Sequence, residues 1–441
     1  MRRMPKTRLS RRRFLHVSAA GCFGSAIGIR SARADEWLRG VTEIEVTLVD
    51  KDAVGYGTFQ NHNQKIVQNR GGIFMTHIRS RNQAYNAQQW RLSRSTDGGK
   101  TFRTLFEATH ATNPPVLETD AAGNIYLMRV DFVDHNAYLY RFLAPDYKPE
   151  PVISKVPGAA AGKYAMMLDR ERERLYFFAH NGTFHVIGLD GKVQSSIRLT
   201  GRGKFGGIQY PYLALAADGT LHAPWTSEQY GRYCYRSVQH IQSPNGGKSW
   251  QRMDGTLITP PVPGDETGSS QRISLDDEFE EHSWLCSCVP KKGKVHFLYS
   301  TIDSHSDAPK SPLIRLNYAR CDAGTGKKDF HRTDEFRGNR IRLNKWNGFL
   351  ATRRLQPDSP LYAVMADDER LACLVSENNG QSWDDHALGT TRYTDCYSIG
   401  DCREVTDDGY ILGSFTDRVQ SSLDPEGVCP VYFFKIKARG K

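Results

Sequence analysis

The sequence predicts an all-β chain folded as a seven-bladed β-propeller, and three observations carry that expectation. Seven times an extended segment enters a turn and leaves it β-rich: NRGGIFMTH, DAAGNIYLM, DRERERLYFF, AADGTLHAPW, PKKGKVHFLY, QPDSPLYAVM and TDDGYILGSF. Aligned on Ile73, Ile125, Leu175, Leu221, Val295, Leu361 and Ile411, these hairpins recur at intervals of 52, 50, 46, 74, 66 and 50 residues. A period of that size holds one small sheet of short strands, the unit of a propeller blade. A second repeat, Ser-x-Asp/Asn-x-Gly-x-Ser/Thr-Phe/Trp, stands at 95–102, 243–250 and 376–383. Long helical patterns are missing. A six-bladed ring is the alternative.

The first 34 residues stand apart from the propeller, which occupies 35–441 as a single domain. SRRRFL at 10–15 is followed by a run of small apolar residues and by Ala32-Arg33-Ala34, a cleavage pattern. The paired arginines with Phe14-Leu15 resemble a twin-arginine export signal, which implies a periplasmic or secreted protein. Lipoprotein anchoring at Cys22 is the weaker alternative. The segment holds nine of the 59 Lys and Arg residues and none of the 49 acidic ones, so the rest of the chain balances at 50 against 49. That near-neutral balance removes the case for a nucleic-acid partner. No later stretch is long and apolar enough to span a membrane as a helix. A monomer is expected.

TEIEVTLVD at 42–50 is placed to close the ring against the C-terminal strand VYFFKIK. In the first hairpin, β-branched residues flank Asn69-Arg70-Gly71-Gly72. A two-residue turn at Asn69-Arg70 pairs Ile66 with Ile73 and sets His62 opposite His77. The 74-residue interval after Leu221 holds a polar block at 264–271 and an acidic run at 276–281, read as a long inter-blade loop. All eight cysteines beyond Cys22 follow residue 230, and Cys396 with Cys402 are candidates for a disulfide. His282, Cys286 and Cys288 have the residue types of a zinc site at an irregular spacing. A structural zinc or calcium is therefore a possibility, while no cofactor is required.

The Ser-x-Asp turns resemble the Asp-box (BNR) repeat, in which the Asp or Asn caps local amides and the aromatic plugs between strands. In Asp-box propellers the box lies between the third and fourth strands of a blade, on the side away from the active site. In an up-and-down blade the start of the first strand and the end of the second then share the opposite face. That rule nominates His62 with His77, Asn113 with Arg129, Tyr164 with His180 and Tyr210 with Trp225. It continues with His282 and Tyr299, Asn347, then Tyr397 and Arg418.

Asp-box repeats first suggest a sialidase. Here no Arg-Ile-Pro motif occurs, and the nearest string, Arg272-Ile273-Ser274, is far along the chain and lacks the proline. The chain more closely resembles the seven-bladed lyases of uronate-containing polysaccharides, such as ulvan lyases. Their histidines before and after the first hairpin match His62 and His77, and their arginine after the second matches Arg129. The resemblance implies His62 and His77 in proton transfer and Arg129 as carboxylate clamp, with Tyr210 and Arg236 as further catalytic candidates. Asn113, Tyr164, His180, Trp225, Tyr299 and Arg418 are the substrate-binding candidates. β-Elimination suits these types: an arginine neutralises the uronate, and histidine or tyrosine moves protons. Asn113 departs from the pattern, because the lyases carry tyrosine there and an amide cannot exchange a proton at matching pKa. An anionic polysaccharide is the expected partner. A sialidase-like glycoside hydrolase and a non-catalytic glycan-binding propeller are the alternatives.

Overall fold

A computed structural model describes residues 41–80, 88–131, 133–158, 162–230, 234–274, 282–302, 314–332, 348–367, 369–418 and 428–439. The export signal, Cys22, Asn347 and the acidic run at 276–281 lie outside them, as does the side chain of His282. Among the described residues every regular element is a strand. They form seven sheets of four or more strands, with one two-stranded ribbon, Thr200–Gly201 against Val262–Pro263. The innermost strands of successive sheets lie side by side, and the first sheet returns to the seventh, so the ring has seven blades. The N-terminal strand Glu45–Ala53 pairs antiparallel with Cys429–Lys437 as the outer strand of blade seven, and Thr42–Glu43 adds to the outer edge of blade six. Both joins staple the beginning of the ring to its end.

Blade one runs Ile66–Asn69, Gly72–Ile78, Gln88–Ser95 and Arg103–Ala111. Its first register differs from the expected one by two residues: Ile66 pairs with Met75, Val67 with Phe74 and Asn69 with Gly72. The two-residue turn is therefore Arg70-Gly71. Asn69 belongs to the strand and caps the turn, its Oδ1 accepting from the Gly71 N–H at 2.7 Å. Gly72 has φ 126°, and a Cβ there would stand 2.1 Å from the Ser95 carbonyl oxygen, so only glycine fits. A shift of two keeps every side chain on its face, but the pairing of His62 with His77 does not form.

Each blade buries both faces, which is why its strands read as nearly continuous apolar runs. Ile73 and Met75 pack toward Val431 and Phe433 of blade seven. Phe74 and Ile78 pack toward Leu117 and Leu127 of blade two. The three Ser-x-Asp/Asn turns do join third to fourth strands. In the first, Asp97 Oδ1 accepts from the amides of Lys100 and Thr101 at 3.1 and 3.0 Å, and Gly99 donates to Ser95 Oγ at 2.9 Å. Asn245 and Asn378 repeat this, each taking the amide of a serine at 2.9 Å. Phe102, Trp250 and Trp383 each reach the preceding blade, meeting Phe433, Phe184 and Tyr318 at ring distances of 5.1, 5.1 and 5.3 Å. Burying such a ring stabilises by about 1.5–3 kcal/mol, so the turns act as wedges that set the angle between blades.

Candidate functional site

The end of the ring opposite the Ser-x-Asp/Asn turns is crossed by the connection from the closing strand to blade one, residues 54–65. Thr58 bonds Thr416 of blade seven through its amide (3.0 Å) and hydroxyl (2.9 Å), and the Asn61 amide reaches the Gly348 carbonyl of blade six at 3.4 Å. The segment thus carries Phe59 and His62 over the channel. An aromatic band spans the mouth: Tyr397 stacks on Phe59 at 6.4 Å, Phe59 meets Tyr210 at 6.5 Å, Tyr210 meets Tyr235 at 5.5 Å and Tyr235 meets Trp284 at 5.2 Å. Tyr210 and Gln60 hold φ of 47° and 63°, left-handed conformations that side-chain-bearing residues adopt only at a cost.

His62 is wholly buried beside this band, edge-on to the Tyr210 ring at 5.2 Å. Burial pushes its pKa well below the usual 6.5, and Lys65, Arg403 and Lys163 push the same way. It is a neutral imidazole at physiological pH, and neither ring nitrogen has a hydrogen-bond partner among the described residues. Lys163 places its ammonium 5.6 Å from the Tyr210 ring centre, and burial lowers its pKa while Glu228 opposes that shift. Gln209 donates to Glu228 at 2.8 Å. Asn113 donates to the Gly162 carbonyl at 3.0 Å, next to Lys163. Gln60 Nε2, Asn63 Oδ1, Thr112 Oγ1, Asn113 Oδ1 and Gln209 Oε1 are likewise buried without partners. Buried polar atoms are normally satisfied, and these residues leave donors and acceptors unspent at the mouth.

Other candidates go elsewhere. His77 faces blade seven, where Nε2 meets Asp50 Oδ2 of the closing strand at 3.1 Å. Arg129 stands between blades one and two, bonded to Asp131 at 3.0 Å and to Tyr140 at 3.3 Å, and it also donates to the His110 carbonyl. Tyr140 and Asp131 raise its pKa despite burial. Trp225 and Tyr299 pack within interblade cores, and Trp225 donates to the Gly264 carbonyl at 2.6 Å. Tyr164 is buried with its hydroxyl toward the carbonyl of Met128 at 3.3 Å, and His180 packs beside Gly162. Arg236 stacks over Phe205 at 5.0 Å and pairs with Glu266 at 2.9 Å. Arg418 pairs with Asp395 at 2.9 Å and lies 4.1 Å over Tyr397, at the edge of the aromatic band.

The zinc expectation fails on strand geometry. A bulge between Leu285 and Ser287 flips the alternation, so Cys286 packs toward blade six and Cys288 toward blade four. They cannot share a metal, and no cluster of metal-ligating residues occurs among the described residues. Cys396 and Cys402 pack in different core clusters, and the expected disulfide between them does not form.

The sequence reading missed Lys163, Gln209 and Glu228 at the mouth. Lys163 and Gln209 immediately precede Tyr164 and Tyr210, and a rule naming one residue per strand start stopped one position short. It also missed Arg403, which spans the channel from blade seven to Glu118 on blade two at 2.9 Å and to the Met166 carbonyl on blade three at 2.8 Å.

No family model matches the chain, and no curated protein matches it in sequence. Among solved structures it is similar to an ulvan lyase of family PL25 bound to -[GlcA(1-4)Rha3S]-, with TM-score 0.61 and 10% identity over 89% of this chain and 95% of that one. It is also similar to the polysaccharide lyase Uly1, with TM-score 0.59 and 11% identity over 90% of this chain and 100% of that one. At these identities the likeness establishes the propeller fold.

Proposed function

We propose that this chain is a carbohydrate-active propeller, exported to the periplasm or beyond, that cleaves a uronate-containing polysaccharide by β-elimination at the channel mouth. The observation that carries the reading is His62: neutral, without a partner on either nitrogen, and set edge-on to a tyrosine beside a lysine. In this reading His62 accepts the C5 proton of the uronate. The electrons of the C5–H bond form the C4–C5 double bond, the C4–O bond breaks, and the Tyr210 hydroxyl protonates the departing oxygen. Lys163, assisted by the Asn113 amide, neutralises the carboxylate so that charge can build at C5. Arg129, already committed to Asp131, holds structure. Arg236 and its Phe205 platform are candidates for binding a neighbouring sugar. The likeness in fold to polysaccharide lyases, one of them bound to a glucuronate-containing chain, supports this reading.

Two observations favour other readings. Glu228 gives the mouth one of the two carboxylates that a glycoside hydrolase uses. The complete burial of His62, with His77 engaged by Asp50 and Arg129 by Asp131, favours a propeller that binds glycan without cleaving it. Incubation with a panel of uronate polysaccharides separates the three. Elimination produces ultraviolet absorbance from the unsaturated uronate, hydrolysis produces reducing ends without it, and binding alone produces retention with neither. Only the first outcome sustains the proposal.

A further inference from the structure

His62 reaches the channel mouth with no hydrogen bond on either ring nitrogen among the described residues, so its place is set by packing against Tyr210 and by the backbone that carries it. That backbone is a tight turn over residues 60–63. The Asn63 N–H donates to the Gln60 carbonyl at 3.1 Å, and the Asn63 side-chain amide donates to Gln60 Oε1 at 2.7 Å. Gln60 has φ 63°, a left-handed conformation that a side-chain-bearing residue keeps only where its surroundings hold it.

Lys65 lies against the inside of this turn. Its side chain is wholly buried, and its ammonium donates to the carbonyls of both turn ends, Gln60 and, at 3.0 Å, Asn63. The Lys65 carbonyl accepts from the Thr76 amide of blade one at 2.9 Å. The adjacent Gln64 accepts from the Leu117 amide of blade two at 2.9 Å and returns a side-chain bond to the Leu117 carbonyl at 2.8 Å. The lysine is thus rooted in the ring while its tip grips the turn. Room for the tip comes from the innermost strand of blade seven, where a Cβ on Gly400 would stand 3.2 Å from Nζ. Burying an ammonium is costly unless its donors are met, and two of its acceptors here are the ends of one turn.

We infer that Lys65 is a positioning residue, whose ammonium clamps the 60–63 turn so that the His62 imidazole meets the substrate at a fixed place. The inference rests on the reading of His62 as the base. A base displaced by about 1 Å loses on the order of 100-fold in rate, so an imidazole without bonds of its own needs such a clamp. The clamp also acts through its charge. Burial is the larger cause of the lowered His62 pKa, and Lys65, Arg403 of blade seven and Lys163 at the entry to blade three add to it. Tyr210 of blade four faces the same ring.

Lys65→Met removes the clamp and keeps the apolar stem. Gly400→Ala instead crowds the ammonium from blade seven with every charge in place, and it carries the test should Lys65→Met fold poorly. Both are compared with the unaltered chain, His62→Ala and the His62→Ala/Lys65→Met double variant, after melting curves confirm folding. NMR of ring-¹⁵N-labelled histidine follows His62, whose signal is the one lost in His62→Ala. In the unaltered chain that ring should stay neutral at about pH 5.5; in Lys65→Met its titration should move up toward the ordinary 6.5, and in Gly400→Ala its signal should shift. On a polysaccharide that the protein cleaves, Lys65→Met should lower kcat by about 10–100-fold with KM within about threefold. The double variant should turn over no more slowly than His62→Ala, because Lys65 acts through that ring. An unmoved His62 signal in both single variants, or losses that multiply in the double variant, overturns the inference. The spectrum is read whether or not cleavage occurs, whereas normal turnover of His62→Ala refutes the base itself, so the two failures are distinguishable.

Discussion

Replacing Asp50 with asparagine tests whether the histidine at the end of the first hairpin is a clasp or a catalyst. Asp50 lies on the closing strand and receives His77 at 3.1 Å and Arg91 at 3.0 Å, with Arg79 at 3.8 Å. Burial alone would raise its pKa, yet the His77 hydrogen bond, the Asp52 amide and the surrounding cations hold it at about 2 against an ordinary 3.8. At about 1.36 kcal/mol per unit, that shift corresponds to roughly 2 kcal/mol of stability. The carboxyl titrates lower in the folded chain, so this contribution is complete above pH 3.8 and is lost as the pH falls toward 2. Asp50→Asn also leaves His77 and Arg91 facing an uncharged amide, so a loss of about 2–3 kcal/mol at pH 7 is expected. With about 2.1 cal/mol/K of unfolding entropy per residue over roughly 400 residues, the melting temperature should fall by about 3 °C. Thermal and urea unfolding at pH 7 measure it. Unchanged stability with a large loss of polysaccharide cleavage would refute the clasp and return His77 to the active site.

Other perturbations follow from the same geometry. Burial, only partly opposed by Arg403, raises the Glu118 carboxyl to about 7 from 4.5. Its stabilising effect is therefore fullest below pH 4.5 and is lost as pH rises through 7. Glu118→Gln should remove about 3 kcal/mol of that decline, and an unaltered slope in unfolding free energy between pH 5 and 8 (roughly the window in which it titrates) would count against the buried pair. Gly72→Ala forces a Cβ against the Ser95 carbonyl, and urea unfolding should show a loss of about 1–3 kcal/mol. Incubation with a chelator should leave the melting temperature unchanged, since Cys286 and Cys288 face different blades; a drop of several degrees would reveal a metal held another way.

Repetition made the architecture legible. Seven hairpins, three wedge turns and a spare N-terminal strand each describe one blade or its closure, and the structure builds all of them. The details of the site were harder to read for a reason particular to propellers. Both faces of a blade pack on neighbouring blades, so residues at the end of a second strand point into an interblade seam. His77, Arg129, Trp225 and Tyr299 all fell there. The first strands and the segments leading into them supplied His62, Lys163, Gln209 and Tyr210. The NRGG run offered two adjacent two-residue turns, and the choice between them depended on Asn69 capping Gly71 and on the Ser95 carbonyl excluding any Cβ at Gly72. The bulge that turns Cys286 and Cys288 to different blades leaves no mark in the residue pattern. Arg403 and Glu118 pair across 285 residues of chain, beyond the reach of any local motif.

The central claim is that proton transfer occurs at His62 and Tyr210, not at His77. The direct measurement is the turnover rate for unsaturated product, on whichever uronate polysaccharide the protein cleaves, for His62→Ala, Tyr210→Phe and His77→Ala beside the unaltered chain. The first two should lose about 10²–10⁴-fold in rate, while His77→Ala keeps its rate and melts earlier. A His62→Ala protein that turns over normally, or a His77→Ala protein that is stable and inactive, would contradict the account.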